Sequence, residues 1–411
     1  MKRIAVVGAG ISGLAAAYFL SRRHQVWLFE KDVRLGGHTH TVFANNLALD
    51  TGFLVHNDRT YPNLVRLFAE LELETQVSDM CFGVSCRRTG LEYSSRGAYG
   101  FFAQRRNLFR PSHLRLLREI FRFNREAPEI LQQPDADALT LGEFLESRRF
   151  GEEFTERYLF PMASAVWSSS VESIRSFPAL TLIRFFDNHG MLGINTHPRW
   201  KVLRGGSHTY VPMLTAPLAD RVVCGAAISG VSRSERAATV AFFDRAPMTF
   251  DEVVFACHGD QVLPLLADPS DRERDVFGRF TTTTNLAWLH TDGRMLPARP
   301  AARASWNYLL GDGDKPPTVT YHLNRLQGLA TEQPYLVTLN PDGSIDPARV
   351  LRKMAYSHPL YSREAIRSQR RWREVSGVNR THYCGAYWFY GFHEDGLNSA
   401  LRVARQLGVE W

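Results

Sequence analysis

Near the start of the chain, Gly8, Gly10 and Gly13 form a Gly-x-Gly-x-x-Gly pattern, with Ala9, Ile11 and Ser12 between them. Glycines spaced this way, after a strand and opening a helix, let the backbone approach a diphosphate. Gly8 allows the tight turn, Gly10 the close approach and Gly13 the packing of helix on strand. The helix N-terminus then presents unpaired N–H groups and a partial positive charge to the anion. Glu30 ends the next apolar run. A carboxylate there accepts from both hydroxyls of a ribose and disfavours a 2′-phosphate. A second group of polar and glycine residues follows at Lys31, Arg34, Gly36, Gly37, His38 and Thr39. His38 and His40 make a His-x-His pair, but a metal needs a third or fourth ligand aimed inward, and no partner cluster is visible. The stretch is therefore expected to bind no metal and to serve as an anion-binding loop. Arg34, the amides near Gly36 and Gly37, and Thr39 should face phosphate or polyol oxygens. His38, titrating near neutrality, should make that binding pH-dependent.

Further along, His56, Tyr321, His322 and His393 are candidates for a catalytic base, although each fits a structural hydrogen-bonding role as well. No residue is assigned as the base. The stretch "QRRNLFRPSHLRLLREIFRFNR", residues 104–125, carries seven arginines and one acid, Glu119, among leucines and phenylalanines. It fits both an interfacial helix on an anionic membrane and the solvated face of an ordinary core helix. Arginine number alone does not decide, because only five of the 49 basic residues are lysine and a genome rich in G and C produces that bias. No nucleic-acid recognition module accompanies the basic stretch, so nucleic acid is not an expected partner.

The elements that must hold these residues follow from periodicity. Residues 1–31 alternate strand, alanine-rich helix and strand; from Tyr61 to about Asn188 the apolar spacing is largely helical; strands return from Trp200 to Asp260 and between 281 and 340. The chain ends in an aromatic run and an amphipathic helix carrying Leu397, Ala400, Leu401, Ala404 and Leu407. With 411 residues, two domains are expected, discontinuous and interleaved because no linker interrupts the chain. One comprises 1–58, 199–262 and 372–411; the other, a helical part plus an antiparallel sheet, comprises 59–198 and 263–371. The fold class is α/β, a Rossmann-like dinucleotide domain with an interleaved α+β domain. Five scattered cysteines argue against a disulfide framework, and no signal peptide or membrane-spanning run is evident, so a cytoplasmic location is expected.

Several stretches sharpen this. "RLGG" after Glu30, Asp50-Thr51-Gly52 with Phe53, "GGSHTY", "GAAISGVSR" and "GFHEDGLNSALRVA" resemble the motifs of the amine oxidase and phytoene desaturase flavoprotein superfamily. The resemblance implies FAD as cofactor. It puts Ile228 against adenine, Gly385 beside the flavin's polyol chain, and His393, Glu394, Asp395, Gly396 and Leu397 at a helix end against the flavin. "GGHTHTV", "LDTGFLVHNDRTYPNL", "TYHLNRLQGL" and "YWFYGFHEDGL" are similar, over essentially the whole chain, to bacterial amine-oxidase-like oxidoreductases. That family includes flavin-dependent desaturases of methyl-branched acyl chains in furan fatty acid synthesis. The resemblance therefore implies a lipid acyl substrate, with a lipid methyltransferase as partner; desaturation by hydride transfer to flavin N5 is the expected chemistry, and the Arg-rich stretch 104–125 would give a peripheral position at the inner membrane face.

The sequence departs from amine oxidases in three places. No lysine sits convincingly where they hold a water against flavin N5, Lys315 falling in the turn-like "GDGDKPP". No acid follows Gly385, and Phe392 stands where a cage tyrosine is usual. Amine or other small-molecule oxidation remains the alternative, as does a non-catalytic lipid-binding escort protein of the same architecture.

Overall fold

The structure is a computed structural model that describes residues 1–132, 139–193, 198–311 and 318–411. Apolar Ile4 to Val7 lie at the centre of a five-stranded parallel sheet. Arg3–Val7 is flanked by Gln25–Phe29 and Glu252–Phe255, and the sheet is completed by Val222–Val223 and Thr381–Tyr383. Covering both faces of a parallel sheet demands continuous apolar strands, and Ile4, Ala5, Val6, Val253, Val254 and Phe255 are fully buried. On one face lies the helix Ile11–Ser21, whose Ala15, Ala16 and Ala17 are small enough to admit the C-terminal helix His393–Gln406. On the other, the antiparallel strands Ile228–Arg233, Ala238–Phe242 and Met248–Phe250 bring Phe242 and Phe250 onto Phe29, at ring separations of 5.3 and 5.9 Å. The return of period-two alternation after Trp200 corresponds to this layer.

A seven-stranded sheet forms the second unit, in the order Val350–Leu360, Thr281–His290, Leu336–Leu339, Thr318–His322, Trp306–Leu310, Phe82–Cys86, Leu91–Ser94. All its pairings are antiparallel except that of Trp306–Leu310 with Phe82–Cys86. Helices Pro111–Glu126, Phe160–Trp167 and Ala179–Asn188 bury Phe123, Phe160, Leu182 and Phe186 in the core of this unit.

The region from Tyr61 to Asn188 is mostly helical, as its spacing indicates, but it also contains the strands Thr75–Val77, Phe82–Cys86 and Leu91–Ser94. These runs are too short to show a helical or strand period clearly, and the turn between the last two depends on Gly90, at φ +63°. Packing also crosses the expected domain bounds. Leu64, Leu67 and Phe68, with Val276 and Phe277, belong to the core around the parallel sheet rather than to the second unit. Lys315 lies outside the described residues.

Glycine placement controls the joint between strand, loop and helix. A Cβ on Gly13 would stand 1.8 Å from the Gly8 carbonyl oxygen, which belongs to the backbone and cannot swing away. Gly13→Ala is therefore expected to destabilise the protein by about 3 kcal/mol or more, the upper range for overpacking, as a loss of melting temperature in the cofactor-free protein.

Candidate functional site

The glycine loop is built from three backbone segments laid against each other. Gly8, at φ +103°, donates its N–H to the Phe29 carbonyl at 2.8 Å, turning the chain off the first strand. Gly36 donates to the Ala9 carbonyl at 2.8 Å, and a Cβ on Gly37 would come within 3.0 Å of the Gly10 Cα. Phe53 donates to the His38 carbonyl at 2.8 Å and Thr51 to the His40 carbonyl at 2.9 Å; a Cβ on Gly52 would lie 2.1 Å from that same His38 oxygen. Beside this loop, buried Glu30 accepts from the Ala9 N–H at 2.7 Å and the Asp32 N–H at 3.1 Å. The Glu30 carbonyl accepts from Ala226 N–H at 2.7 Å, which leads the chain to half-buried Ile228 two residues later. Lys31 is exposed.

Arg34 has a role in the loop itself. Its guanidinium donates to the carbonyls of Leu35 at 2.9 Å, Thr39 at 2.7 Å and Gly37 at 2.7 Å, so it ties the loop together. Left-handed Gly36 and Gly37 turn these carbonyls to one side, and the longest cation nearby collects them. Thr39 is likewise committed inside the protein, its hydroxyl meeting the Tyr210 hydroxyl and, at 2.9 Å, His393 Nε2. Asp50 fastens the hairpin to the Gly205-Gly206 turn, accepting from Ser207 N–H at 2.9 Å and Ser207 Oγ at 2.8 Å. Burial pushes its carboxyl up to about 6, against the pull of Thr41 and Ser207.

The C-terminal helix reaches this loop with its N-terminus. A Cβ on Gly396 would stand 2.7 Å from Ile11 Cγ2 and 2.9 Å from Ser12 Oγ, so two helix starts converge. His393 stacks on Phe53 at 3.8 Å and 17°, and burial holds it neutral, down to about 3. Glu394, expected beside a cofactor, instead caps the helix Pro62–Glu70, accepting from Asn63 N–H at 3.0 Å and Leu64 N–H at 2.8 Å. Asp395 closes its own helix by accepting from Phe392 N–H at 2.9 Å, and burial pushes it up to about 7. Leu397 is fully buried in the core. Gly385 donates to Ser399 Oγ at 2.8 Å, leaving no room for a side chain beside the Tyr387 ring.

Three residues of the site escaped the sequence reading. The His38 ring lies 5.2 Å from those of His358 and Tyr356 and 5.9 Å from that of His258. His358 Nδ1 pairs with Asn285 Nδ2 at 2.9 Å, and the Tyr356 hydroxyl meets His40 Nδ1 at 2.8 Å and Thr51 Oγ1 at 2.7 Å. His258 had a signal, since it follows the C-terminal end of a parallel strand, where such sheets bind ligands. Tyr356 and His358 come from alternate positions of a strand distant in sequence, which nothing local announces. The cluster also corrects the expected titration of His38. Burial, reinforced by neighbouring His358 and His258, holds its pKa well below the ordinary value, and burial brings His358 to about 4.

Of the other candidate bases, only His393 joins this group. His56 pairs with Lys201 across two short strands and packs on Phe68 at 5.2 Å. Tyr321 packs edge-on against Trp306 at 5.1 Å, and burial raises its pKa. His322 lies near Arg325 and Arg303, and burial lowers it to about 4. Among the described residues every lysine is engaged elsewhere or exposed: Lys2 with Glu252, Lys201 with Asp58, Lys353 over Trp288, and Lys31 in solvent. Phe392 faces an aromatic wall, stacked on Phe185 at 4.9 Å, with Trp167 4.8 Å and His189 3.8 Å from that same Phe185 ring. Among the described residues no group of three or more His, Cys, Asp or Glu is arranged to hold a metal ion.

A parallel-sheet dinucleotide unit joined to an antiparallel substrate-type sheet defines a two-part flavoprotein architecture. The sequence model of flavin-containing amine oxidoreductases matches residues 11–320, and the chain belongs to that family, an FAD-dependent class of oxidoreductase. A putrescine oxidase variant from a redesign of cofactor binding superposes with a TM-score of 0.72 at 16% identity, covering 98% of each chain. A fatty acid isomerase from P. acnes that produces CLA gives 0.68 at 15%, again over 98% of each. Protoporphyrinogen oxidase 2 of Arabidopsis thaliana is 58% identical over 52 residues, which span 12% of this chain and only 10% of that relative.

The residues present fit FAD. No atom stands within 4 Å of a Cβ built on Gly10, so the loop opens onto free space at the point of closest approach to a diphosphate. The His38 and His393 rings keep some accessible surface, and His38 Nε2 is buried without a hydrogen-bond partner. Gly10→Ala should therefore leave the melting temperature of the cofactor-free protein unchanged and weaken FAD binding about 100-fold in a fluorescence titration. Because His38 stays neutral, native protein and His38→Ala should share one pH dependence of FAD affinity from about pH 5.5 to 8. Neutral burial of His358 has a further consequence, since unfolding lets it gain a proton. Its contribution to stability, present above the ordinary histidine pKa, is lost as pH falls towards about 4. In cofactor-free protein the stability difference between native and His358→Asn should thus shrink across that window, measured by urea unfolding.

Proposed function

We propose that this flavin oxidoreductase desaturates a fatty acyl chain of a lipid, a methyl-branched one in the form the family resemblance implies. The observation that carries the reading is the mostly hydrocarbon wall of Phe392, Phe185, Trp167 and Phe177, to which Tyr390 adds a hydroxyl-bearing ring 5.9 Å from Phe185. Such a wall favours a hydrocarbon chain over an ammonium. The buried histidines support it, because neutral imidazoles accept hydrogen bonds without placing charge beside an apolar substrate. The fatty acid isomerase among the structural neighbours shows that the architecture also serves a protein named for an acyl chain.

FAD, when bound, supplies the two-electron acceptor that takes a hydride from a substrate carbon. The chain's own residues do the rest. The backbone of residues 8–13 and of 36–37 would hold the diphosphate, Glu30 would take the adenosine ribose and Ile228 would pack against adenine. The starts of the helices Ile11–Ser21 and His393–Gln406 place partial positive charge where negative charge gathers. The aromatic wall excludes water and aligns the chain, and an unactivated C–H bond needs that positioning together with an adjacent activating group. The second hydrogen leaves as a proton, to a base or to solvent, and the two electrons pass on to dioxygen or another carrier. A methyl-branched substrate would be supplied by a lipid methyltransferase, the partner class this reading predicts.

Mixing the FAD-loaded protein anaerobically with a bacterial lipid extract should bleach the flavin absorbance, with loss of two hydrogens from an acyl chain by mass spectrometry. Rapid bleaching by amines and none by lipid would establish the oxidase alternative; a purified protein that takes up no FAD would favour an escort role. Phe392→Tyr, which inserts a hydroxyl into the wall, is expected to lower kcat/KM for the acyl substrate about 10-fold, a cost of ~1–2 kcal/mol for burying an unpaired hydroxyl.

A further inference from the structure

The Arg-rich stretch forms the turn Arg105–Phe109 and the helix Pro111–Glu126 at the surface of the second unit. The helix Pro111–Glu126 is held from within by His113, Leu116 and Phe123, the last packed on Phe154 at 5.2 Å. Its outward stripe, at helical spacing, mixes Leu114 and Phe121 with Arg115, Arg118 and Arg125. The turn before it adds Phe109, 84% exposed, with Leu108 beside it, and Tyr99 on the neighbouring short helix is 70% exposed. Arg105, Arg106, Arg110 and Arg118 are exposed and form no ion pair among the described residues. Arg115 meets Glu153 at 3.2 Å, and Arg122 is turned inward over the Phe150 ring at 4.0 Å. Phe243 is as exposed elsewhere, so exposure alone does not mark the face; what marks it is that Leu108, Phe109, Leu114 and Phe121 share one helix and its leading turn with four arginines that form no ion pair among the described residues.

We infer that this face docks on an anionic lipid bilayer, its arginines among the phosphate headgroups and Phe109, Leu114 and Phe121 reaching the acyl boundary. Charge complementarity selects the occupant. A nucleic acid would match the guanidinium groups but leave these apolar side chains in water, whereas an anionic bilayer offers headgroup charge directly above hydrocarbon. The fixed inner face makes this a preformed surface and not a helix that folds on contact. Among the described residues no helix is long and apolar enough to cross a membrane, so the contact is peripheral. The inference is independent of the acyl reading, since it rests on a surface remote from the glycine loop in sequence and built on the other core.

The FAD-loaded protein should sediment with vesicles of phosphatidylcholine containing roughly one-third phosphatidylglycerol and far less with pure phosphatidylcholine, and the binding should weaken with salt. Reversing three unpaired charges together (Arg106→Glu, Arg110→Glu and Arg118→Glu) should lower the partition coefficient on the order of 100-fold. The flavin spectrum and melting temperature should stay native, showing that the variant is folded. In Phe109→Trp, the new indole should show a blue-shifted emission on vesicle binding and be quenched by brominated lipid. Equal binding of the charge-reversed protein, or equal binding to both vesicle types, would overturn the inference. So would an indole emission in Phe109→Trp that vesicles leave unmoved, in a protein that binds RNA or heparin as tightly, which would make the surface a polyanion site.

Discussion

Close approach of backbone to backbone is the constraint on which the rest of the molecule depends. Gly13 lets the first helix touch the Gly8 carbonyl, Gly37 lets the second loop lie on Gly10, and Gly52 lets the hairpin lie on the His38 carbonyl. Gly396 extends the same principle to the last helix, which rests on Ile11 and Ser12. Side chains at any of these points would force the layers apart. The converging N–H groups of two helix starts, a source of the site's positive potential, would then no longer point into one space.

Around that positive centre the protein places neutral groups. Histidines that would be half-charged in water are held uncharged by burial at His38, His358 and His393, and Asp395 is pushed up towards neutrality. The helix starts and the Arg34 guanidinium are then the sources of positive potential at the site, with the histidines adding none. Arg34 also donates to three loop carbonyls, which stabilises the loop.

Much of this was legible in the sequence, and the reasons it failed elsewhere are physical. The glycine triplet, Glu30 and the terminal helix start are local motifs, with their geometry encoded in neighbouring residues, and the first strand–helix–strand unit is where they indicated. Roles that depend on contacts from far along the chain were not legible. Glu394 looks like a ligand in its own helix but caps Pro62–Glu70, because the acceptor it supplies is needed by a helix more than three hundred positions earlier. Tyr356 and His358 sit on a strand whose period two says which face they share and nothing about what faces them. The short strands Phe82–Cys86 and Leu91–Ser94 were hidden because each is shorter than the window in which a period can be recognised.

The order of the chain adds a consequence in time. The helix Ile11–Ser21 is made well before its packing partner His393–Gln406, and the fifth strand of the parallel sheet is Thr381–Tyr383. During synthesis the second unit, built largely from residues between the two ends, can assemble while the glycine loop still lacks its closing half. The cradle is finished only once His393–Gln406 has been made. The glycine loop and the helix start that faces it thus lie nearly four hundred positions apart in the sequence, and neither segment forms the cradle by itself.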